Sequence, residues 1–216
     1  MTPGIGLIEA ALRSLFPTEV AVAAERIVPA KLTALWPAEQ SAVAGAVPAR
    51  LAEFVAGRTA ARRVLQALDV PPQALPIGQD RAAIWPAELS GSIAHAAGFA
   101  IAVAREGPPL GVDIEDDAAI APDLWPIICT PKELHKLGSV QTGQLVKRIF
   151  CAKEAVFKAQ APDRRAMFGH ETLAVALAEP AFRAQFLADA GAFRAGQTVQ
   201  GRIALLQGLV LAGVAV

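Results

Sequence analysis

A mixed α+β fold of two similar halves, a pseudo-twofold duplicated unit with a cleft between them, is predicted by three features of the sequence. Two segments, 50–68 and 145–160, carry apolar residues at helical spacing. Each bears basic residues along one flank of its apolar arc, and each is followed by short apolar runs of strand length punctuated by glycine and proline. Helices that cover one face of a sheet are the layer arrangement such an order favours. A chain of 216 residues is long enough for two such units of about 100 residues.

Composition removes several function classes. Twenty lysines and arginines balance twenty aspartates and glutamates, so there is no global basic field of the kind a nucleic-acid binder displays. Hydrophobic residues make up 54% of the chain, much of it alanine. The longest apolar runs, 93–104 and 203–216, contain His95 and Gln207 and fall short of the roughly 20 residues a membrane span needs. The opening residues lack a charged secretory n-region, and Glu9 and Arg13 interrupt the first apolar stretch, so a cytoplasmic protein is expected. Cys129 and Cys151 fit no metal spacing and read as reduced structural thiols.

Taken in order, the first forty-odd residues alternate short apolar runs with Pro3, Pro17, Pro29 and Pro37, which predicts strands and turns around a helix at 7–16. The helix at 50–68 follows Pro48 and places Phe54, Ala61, Val64, Leu65 and Leu68 on one arc. Arg58 and Arg62 lie four apart on its flank, a like-charge pair that costs a few tenths of a kcal/mol unless an anion bridges it. Pro71, Pro72 and Pro76 end that helix, and an irregular stretch carrying Arg81 and Trp85 follows. Residues 92–105 read as one buried strand containing His95, which should form a hairpin with the next strand after the Gly107-Pro108-Pro109 turn.

That next strand is Gly-Val-Asp-Ile-Glu at 111–115, whose alternation sets Asp113 and Glu115 on one face and Val112 and Ile114 on the other. Thr130, Pro131 and Glu133 have the pattern of a helix start with a capping box. In the helix at 145–160, Leu145, Val146, Ile149, Phe150, Val156 and Phe157 form the apolar arc, yet Lys153 projects from its middle, with Lys147, Glu154 and Lys158 along the border. An unpaired buried ammonium is strongly disfavoured, so Lys153 must snorkel or meet an anion at the mouth of a cleft. Beyond Pro162 the pattern gives a strand at 173–177, a short helical stretch near 180–190 and two closing strands around Gln207 and Gly208.

The chemistry has a bland and a functional reading at each point. Asp113 and Glu115 either end a solvated strand or hold a divalent metal; His95 is either a satisfied core histidine or a ligand contact. Acids suited to Mg²⁺ together with scattered cations indicate a phosphorylated substrate, because Mg²⁺ takes one or two protein carboxylates and completes its shell with phosphate oxygens and water. There is no Walker loop or dinucleotide glycine fingerprint, so side chains and metal would hold the phosphates.

The motif at 111–115, followed by Phe-Cys-Ala-Lys-Glu-Ala-Val-Phe-Lys at 150–158, resembles the paired signature of the 4'-phosphopantetheinyl transferases. Gly-Arg-Thr-Ala-Ala-Arg at 57–62, Pro-Ile-Gly at 76–78, Trp85-Pro86 and Gly-Ser-Ile-Ala-His at 91–95 resemble the siderophore-synthesis subgroup typified by the enterobactin synthetase component D. The resemblance implies a monomer whose active site lies between two similar halves: 1–108, contacting coenzyme A phosphates, and 109–216, carrying the metal site and catalytic helix. It implies Mg²⁺-dependent transfer of phosphopantetheine from coenzyme A to a serine of an acyl or peptidyl carrier protein. By position, Asp113, Glu115 and Glu133 are implied metal ligands, and Glu154 is the general base or a metal-linked carboxylate assisting it. Lys153 and Lys158 are implied to hold phosphate and position the leaving group, while Arg58, Arg62, Arg81 and His95 contact the coenzyme. The chain departs from the family at Ala94, where serine usually precedes the histidine, and at Ala82, where proline often follows the basic residue. A Mg²⁺-dependent phosphohydrolase and a non-catalytic nucleotide-binding module are the rival classes.

Overall fold

In the computed structural model, which describes residues 2–138, 140–161 and 165–216, alanine-rich strands and one long helix build the first half. Strand β1 (Ala21–Arg26) pairs with β3 (Phe99–Glu106), and β3 pairs with β2 (Leu89–Ala96), giving an antiparallel sheet of order β1-β3-β2. Helix α1 (Ile5–Leu15) precedes the sheet, a four-residue α2 (Pro37–Gln40) follows β1, and α3 (Pro48–Ala67) crosses one face. Pro48 starts α3 at a position where its missing N–H has no helical partner to lose. Ala60, Ala61, Val64 and Leu65 of α3 pack on Ala23, Ala102 and Ala104, small side chains that let helix and sheet approach closely.

The second half runs β4 (Leu110–Asp116), α4 (Trp125–Ile128), α5 (Pro131–Leu137), α6 (Thr142–Lys158), β5 (Leu173–Ala178), β6 (Ala181–Phe186), β7 (Thr198–Leu206) and β8 (Leu209–Ala215). Its five antiparallel strands are ordered β4-β8-β7-β6-β5. Val146, Ile149, Ala152, Ala155 and Val156 of α6 share a core with Val175, Phe182, Ala184, Val210 and Ala212.

A third apolar cluster joins the halves. Ile8, Leu12 and Leu15 of α1 pack with Ile101 and Val103 of the first sheet and with Val112, Ile114 and Leu211 of the second. At the seam, the buried Ser92 Oγ on β2 accepts the Val112 N–H of β4 at 3.1 Å. The fold is therefore α+β in two parts, with α1 spanning both sheets.

Two expected elements differ. The run at 92–105 is not one strand but most of a hairpin: Ala97 and Gly98, at φ of 51° and 82°, make a two-residue turn in which β2 reverses into β3. β4 then pairs with β8 rather than with its predecessor. Pro108 and Pro109 bring no backbone donors, and Arg105 binds the carbonyls of both and of Val216, leading the chain into the other sheet. The segment near 180–190 is β6 in place of a helix, since Phe182, Ala184 and Phe186 are buried in strict alternation. Pro162 lies outside the described residues.

Gly111 sets how closely α6 lies on β4. A Cβ there would sit 2.0 Å from Ala155 O in α6 and 2.6 Å from Ala159 N just past its end, both backbone atoms that cannot swing aside. Gly111→Ala is therefore expected to destabilise the protein by about 1–3 kcal/mol or more, read as a lower urea midpoint. An unchanged midpoint would mean that α6 does not rest on this strand.

Candidate functional site

Because β4 alternates, its even positions enter the α1 cluster and its odd positions face α6. That alternation brings Asp113 and Glu115 against the basic border of the helix. Lys158 Nζ lies 2.5 Å from Asp113 Oδ1, and Lys147 Nζ lies 3.3 Å from Glu115 Oε2 and 3.2 Å from Asp116. Asp113 is buried, and its second oxygen, Oδ2, has no hydrogen-bond partner among the described residues. Burial pushes the Asp113 carboxyl up, with Lys158 offsetting only part of the effect; burial and then the Asp113 charge push Glu115 up as well. Burial opposes the charge on Lys158, but Asp113 and Glu154 outweigh it and hold the ammonium above its ordinary range.

A cleft of about 520 Å³ opens beside this cluster, with Glu154, Phe157 and Lys158 on one wall and Arg58, Arg81 and His95 on the other. The Arg58 guanidinium donates from Nε to Leu75 O at 2.7 Å and lies 4.2 Å from the centre of the Phe54 ring. Burial lowers its pKa to about 10, against the pull of Glu39. Arg81 sits in an exposed loop with φ of 66°. His95 Nε2 lies 2.8 Å from Arg50, which has only donors, so the ring accepts there and carries its proton on Nδ1, towards Glu53. Burial, with Arg50 and Lys158, keeps His95 below the usual histidine range. Trp85 lies against Gly91, where any side chain would strike the indole.

Glu154 is held differently from the strand carboxylates. Burial acts to raise it, but a 3.0 Å hydrogen bond from His170 and the charge of Lys158 prevail and keep it below the ordinary glutamate range.

Three residues expected in the site are engaged elsewhere. Glu133 accepts from Thr130 N at 2.6 Å, Val175 N at 2.6 Å and Lys153 Nζ at 2.9 Å, deep in the second half. Lys153 is 1% exposed and also donates to the carbonyls of Ile128 and His170, so its charge meets Glu133 inside the wall and not an anion at the cleft mouth. Arg62 donates to both oxygens of the fully buried Glu39, at 2.9 and 3.0 Å. Ala94 faces the α1 cluster, on the other side of β2 from His95, so its lack of a hydroxyl does not alter the cleft.

Other groups at the cleft had no distinct sequence signal. Arg50 and Arg165 line it, Arg165 reaching Asp80 at 2.8 Å, and His170 binds Glu154 from a turn 16 residues away. Only their residue types were visible in sequence; the partners are distant along the chain.

No group of three or more acidic, histidine or cysteine side chains forms a ready-made metal cage among the described residues. The donors nevertheless fit a hard cation that keeps most of its shell for phosphate and water. Asp113 has a buried oxygen without a hydrogen-bond partner among the described residues, Glu154 stands close enough for its charge to push the Asp113 carboxyl up, and Asp113 in turn pushes up Glu115.

The buried bridge makes a stability prediction. Lys153→Met should cost about 3–5 kcal/mol, because Glu133 and two carbonyls lose their cation in the interior. Lys158→Met strips the ammonium from the buried Asp113, but burial already pushes that carboxyl towards its neutral form, so taking up a proton should limit the loss to less than that of Lys153→Met. Urea denaturation of the two variants tests this; a loss below about 1 kcal/mol for Lys153→Met would place Lys153 outside the bridge.

Two family models match successive segments of the chain. Residues 38–105 match the 4'-phosphopantetheinyl transferase N-terminal domain, and residues 109–206 match the 4'-phosphopantetheinyl transferase superfamily. The chain is 34% identical over 194 residues to 4'-phosphopantetheinyl transferase Svp of Streptomyces mobaraensis, covering 84% of this chain and 78% of that protein. It is 30% identical over 200 residues to 4'-phosphopantetheinyl transferase PptT of Mycobacterium tuberculosis, covering 86% and 87%. Enterobactin synthase component D of Escherichia coli K12 is 36% identical over 115 residues, covering 51% of this chain and 54% of that one. With both family models and relatives covered over more than three quarters of their length in agreement, the chain belongs to the 4'-phosphopantetheinyl transferase superfamily.

Proposed function

We propose that this protein transfers 4'-phosphopantetheine from coenzyme A to a serine of an acyl or peptidyl carrier protein, converting the apo carrier to the holo form with Mg²⁺. The observation that carries the reading is the pairing of buried Asp113 with half-buried Lys158, one carboxylate oxygen having no hydrogen-bond partner among the described residues, beside a cleft whose far wall is cationic. The first half, 1–108, supplies Arg58, Arg81 and His95 to the coenzyme's phosphates. The second, 109–216, supplies the charged cluster. Asp113 and Glu115 would hold the metal, which when bound neutralises pyrophosphate charge and makes the nucleotide a better leaving group. Glu133, Lys153 and Arg62 act behind the walls, fixing the elements that carry the working groups.

In the transfer, the carrier serine Oγ forms a bond to the pantetheine-side phosphorus, and the bond from that phosphorus to the bridging oxygen breaks. Adenosine 3',5'-bisphosphate leaves. The serine proton passes to Glu154, which His170 and Lys158 hold in its ionised, proton-accepting form. Lys158, held charged by Asp113 and Glu154, faces the negative charge that grows on the departing phosphate. Among the described residues no helix is long and apolar enough to cross a membrane. The proposed enzyme acts as a monomer in the cytoplasm.

Mass spectrometry of apo-carrier proteins incubated with the enzyme, coenzyme A and Mg²⁺ tests the reading. A carrier mass increase equal to phosphopantetheine is expected. Coenzyme consumed without carrier loading would indicate a hydrolase, and coenzyme bound but unchanged a binding module. Glu154→Gln should lower kcat by at least about a hundredfold while keeping the thermal shift produced by coenzyme A and Mg²⁺. Near-normal turnover in that variant would remove the base assignment.

A further inference from the structure

Phe150, Lys153, Glu154 and Phe157 form one stripe along α6, spaced i, i+3, i+4 and i+7. Three of the four converge on a single residue beyond the helix. Lys153 Nζ donates to the His170 carbonyl at 2.9 Å, the Phe150 ring meets the His170 ring edge-on at 5.3 Å, and His170 Nε2 reaches Glu154 Oε1 at 3.0 Å. The histidine is thus fixed at its backbone by a buried cation, at its ring by an aromatic wall, and at its tip by the carboxylate. A carboxylate only accepts, so Nε2 carries the hydrogen.

From this convergence we infer that His170 is a positioning residue for Glu154. The inference rests on the transferase reading above. A glutamate on a half-exposed helix face has three side-chain torsions, and without a partner it samples rotamers that point away from the reacting hydroxyl. The bond engages Oε1 and fixes the plane of the carboxylate within the cleft wall. Lys153, whose charge Glu133 neutralises inside the protein, contributes at one remove, because it sets the backbone from which the imidazole projects. This gives the buried lysine a function compatible with its lack of contact with the cleft. Misplacing a reacting group by about 1 Å is enough to cost on the order of a hundredfold in rate, so a single oriented hydrogen bond carries kinetic weight.

The test separates the hydrogen bond from the ring packing. His170→Phe retains an aromatic edge against Phe150 and loses the donor, whereas His170→Gln retains a donor at a similar reach. His170→Phe should lower kcat about tenfold and leave the KM for coenzyme A within about twofold, because Glu154 acts chiefly on the serine proton. His170→Gln should recover most of the loss. His170→Ala, assayed alongside, should be at least as impaired in kcat as His170→Phe, which keeps the comparison decisive if the phenylalanine variant does not fold. A kcat for the donor-free variants within about twofold of wild type, or equal impairment of His170→Gln and the donor-free variants, would overturn the inference.

A thermal cycle in the free protein supplies an arm that needs no turnover. Melting temperatures of Glu154→Gln, the donor-free variant and the double variant should be non-additive, the double falling no further than the worse single. Strict additivity would overturn the inference. A wild-type enzyme that loads no carrier would instead defeat the transferase reading, with the thermal cycle still deciding whether His170 holds Glu154.

Discussion

The contact of α6 with β4 at Gly111 is the constraint on which the site depends. Because the strand carries no side chain at that point, the helix backbone can lie directly on it, and the next two odd positions come within reach of helix lysines. A carboxylate as enclosed as Asp113 is costly to keep charged, and Lys158 answers only one of its oxygens. The remaining demand for positive charge is what suits the cluster to a cation arriving with an anionic substrate.

Each half supports its cleft wall by the same physical device. In the first, Glu39 accepts from Arg62 and from the backbone N–H groups of Trp36 and Leu75, and the Leu75 carbonyl then fixes Arg58, one helical turn from Arg62. In the second, Glu133 accepts from Lys153 and from the backbone of Thr130 and Val175, and Lys153 is the immediate neighbour of Glu154. In both, a buried acid satisfies a cation that faces away from the cleft and ties distant segments to the helix. The adjacent charged residue is left to face the cavity. In both bridges each carboxylate oxygen is hydrogen-bonded, which is the condition under which a buried carboxylate is tolerated.

Much of this was legible in the sequence. Helical spacing located α3 and α6, the Thr130–Glu133 capping box formed as its pattern indicates, and strand alternation put Asp113 and Glu115 on one face. The like-charged Arg58 and Arg62 correctly stood out as needing compensation, but the compensation is divided between Phe54 and Glu39 and needs no bridging ligand. Lys153 also stood out correctly as a misplaced cation. Its partner lies 20 residues earlier in the chain, and local periodicity carries no information about such a pairing. The Ala97–Gly98 turn was hidden because it interrupts an apolar run with none of the polar turn residues that usually announce a hairpin. His170 had no local pattern at all; its role arises from the α6 stripe meeting a turn after the helix has ended.

The central claim is that Asp113 lies where a metal and the coenzyme's phosphates meet. Calorimetric titration of coenzyme A into the protein, with and without Mg²⁺, measures that coupling directly. The account predicts that Mg²⁺ strengthens coenzyme binding to the wild type about tenfold or more and has little effect on Asp113→Asn, a nearly isosteric change. An equal strengthening by Mg²⁺ in both proteins would contradict it and place the metal away from this strand.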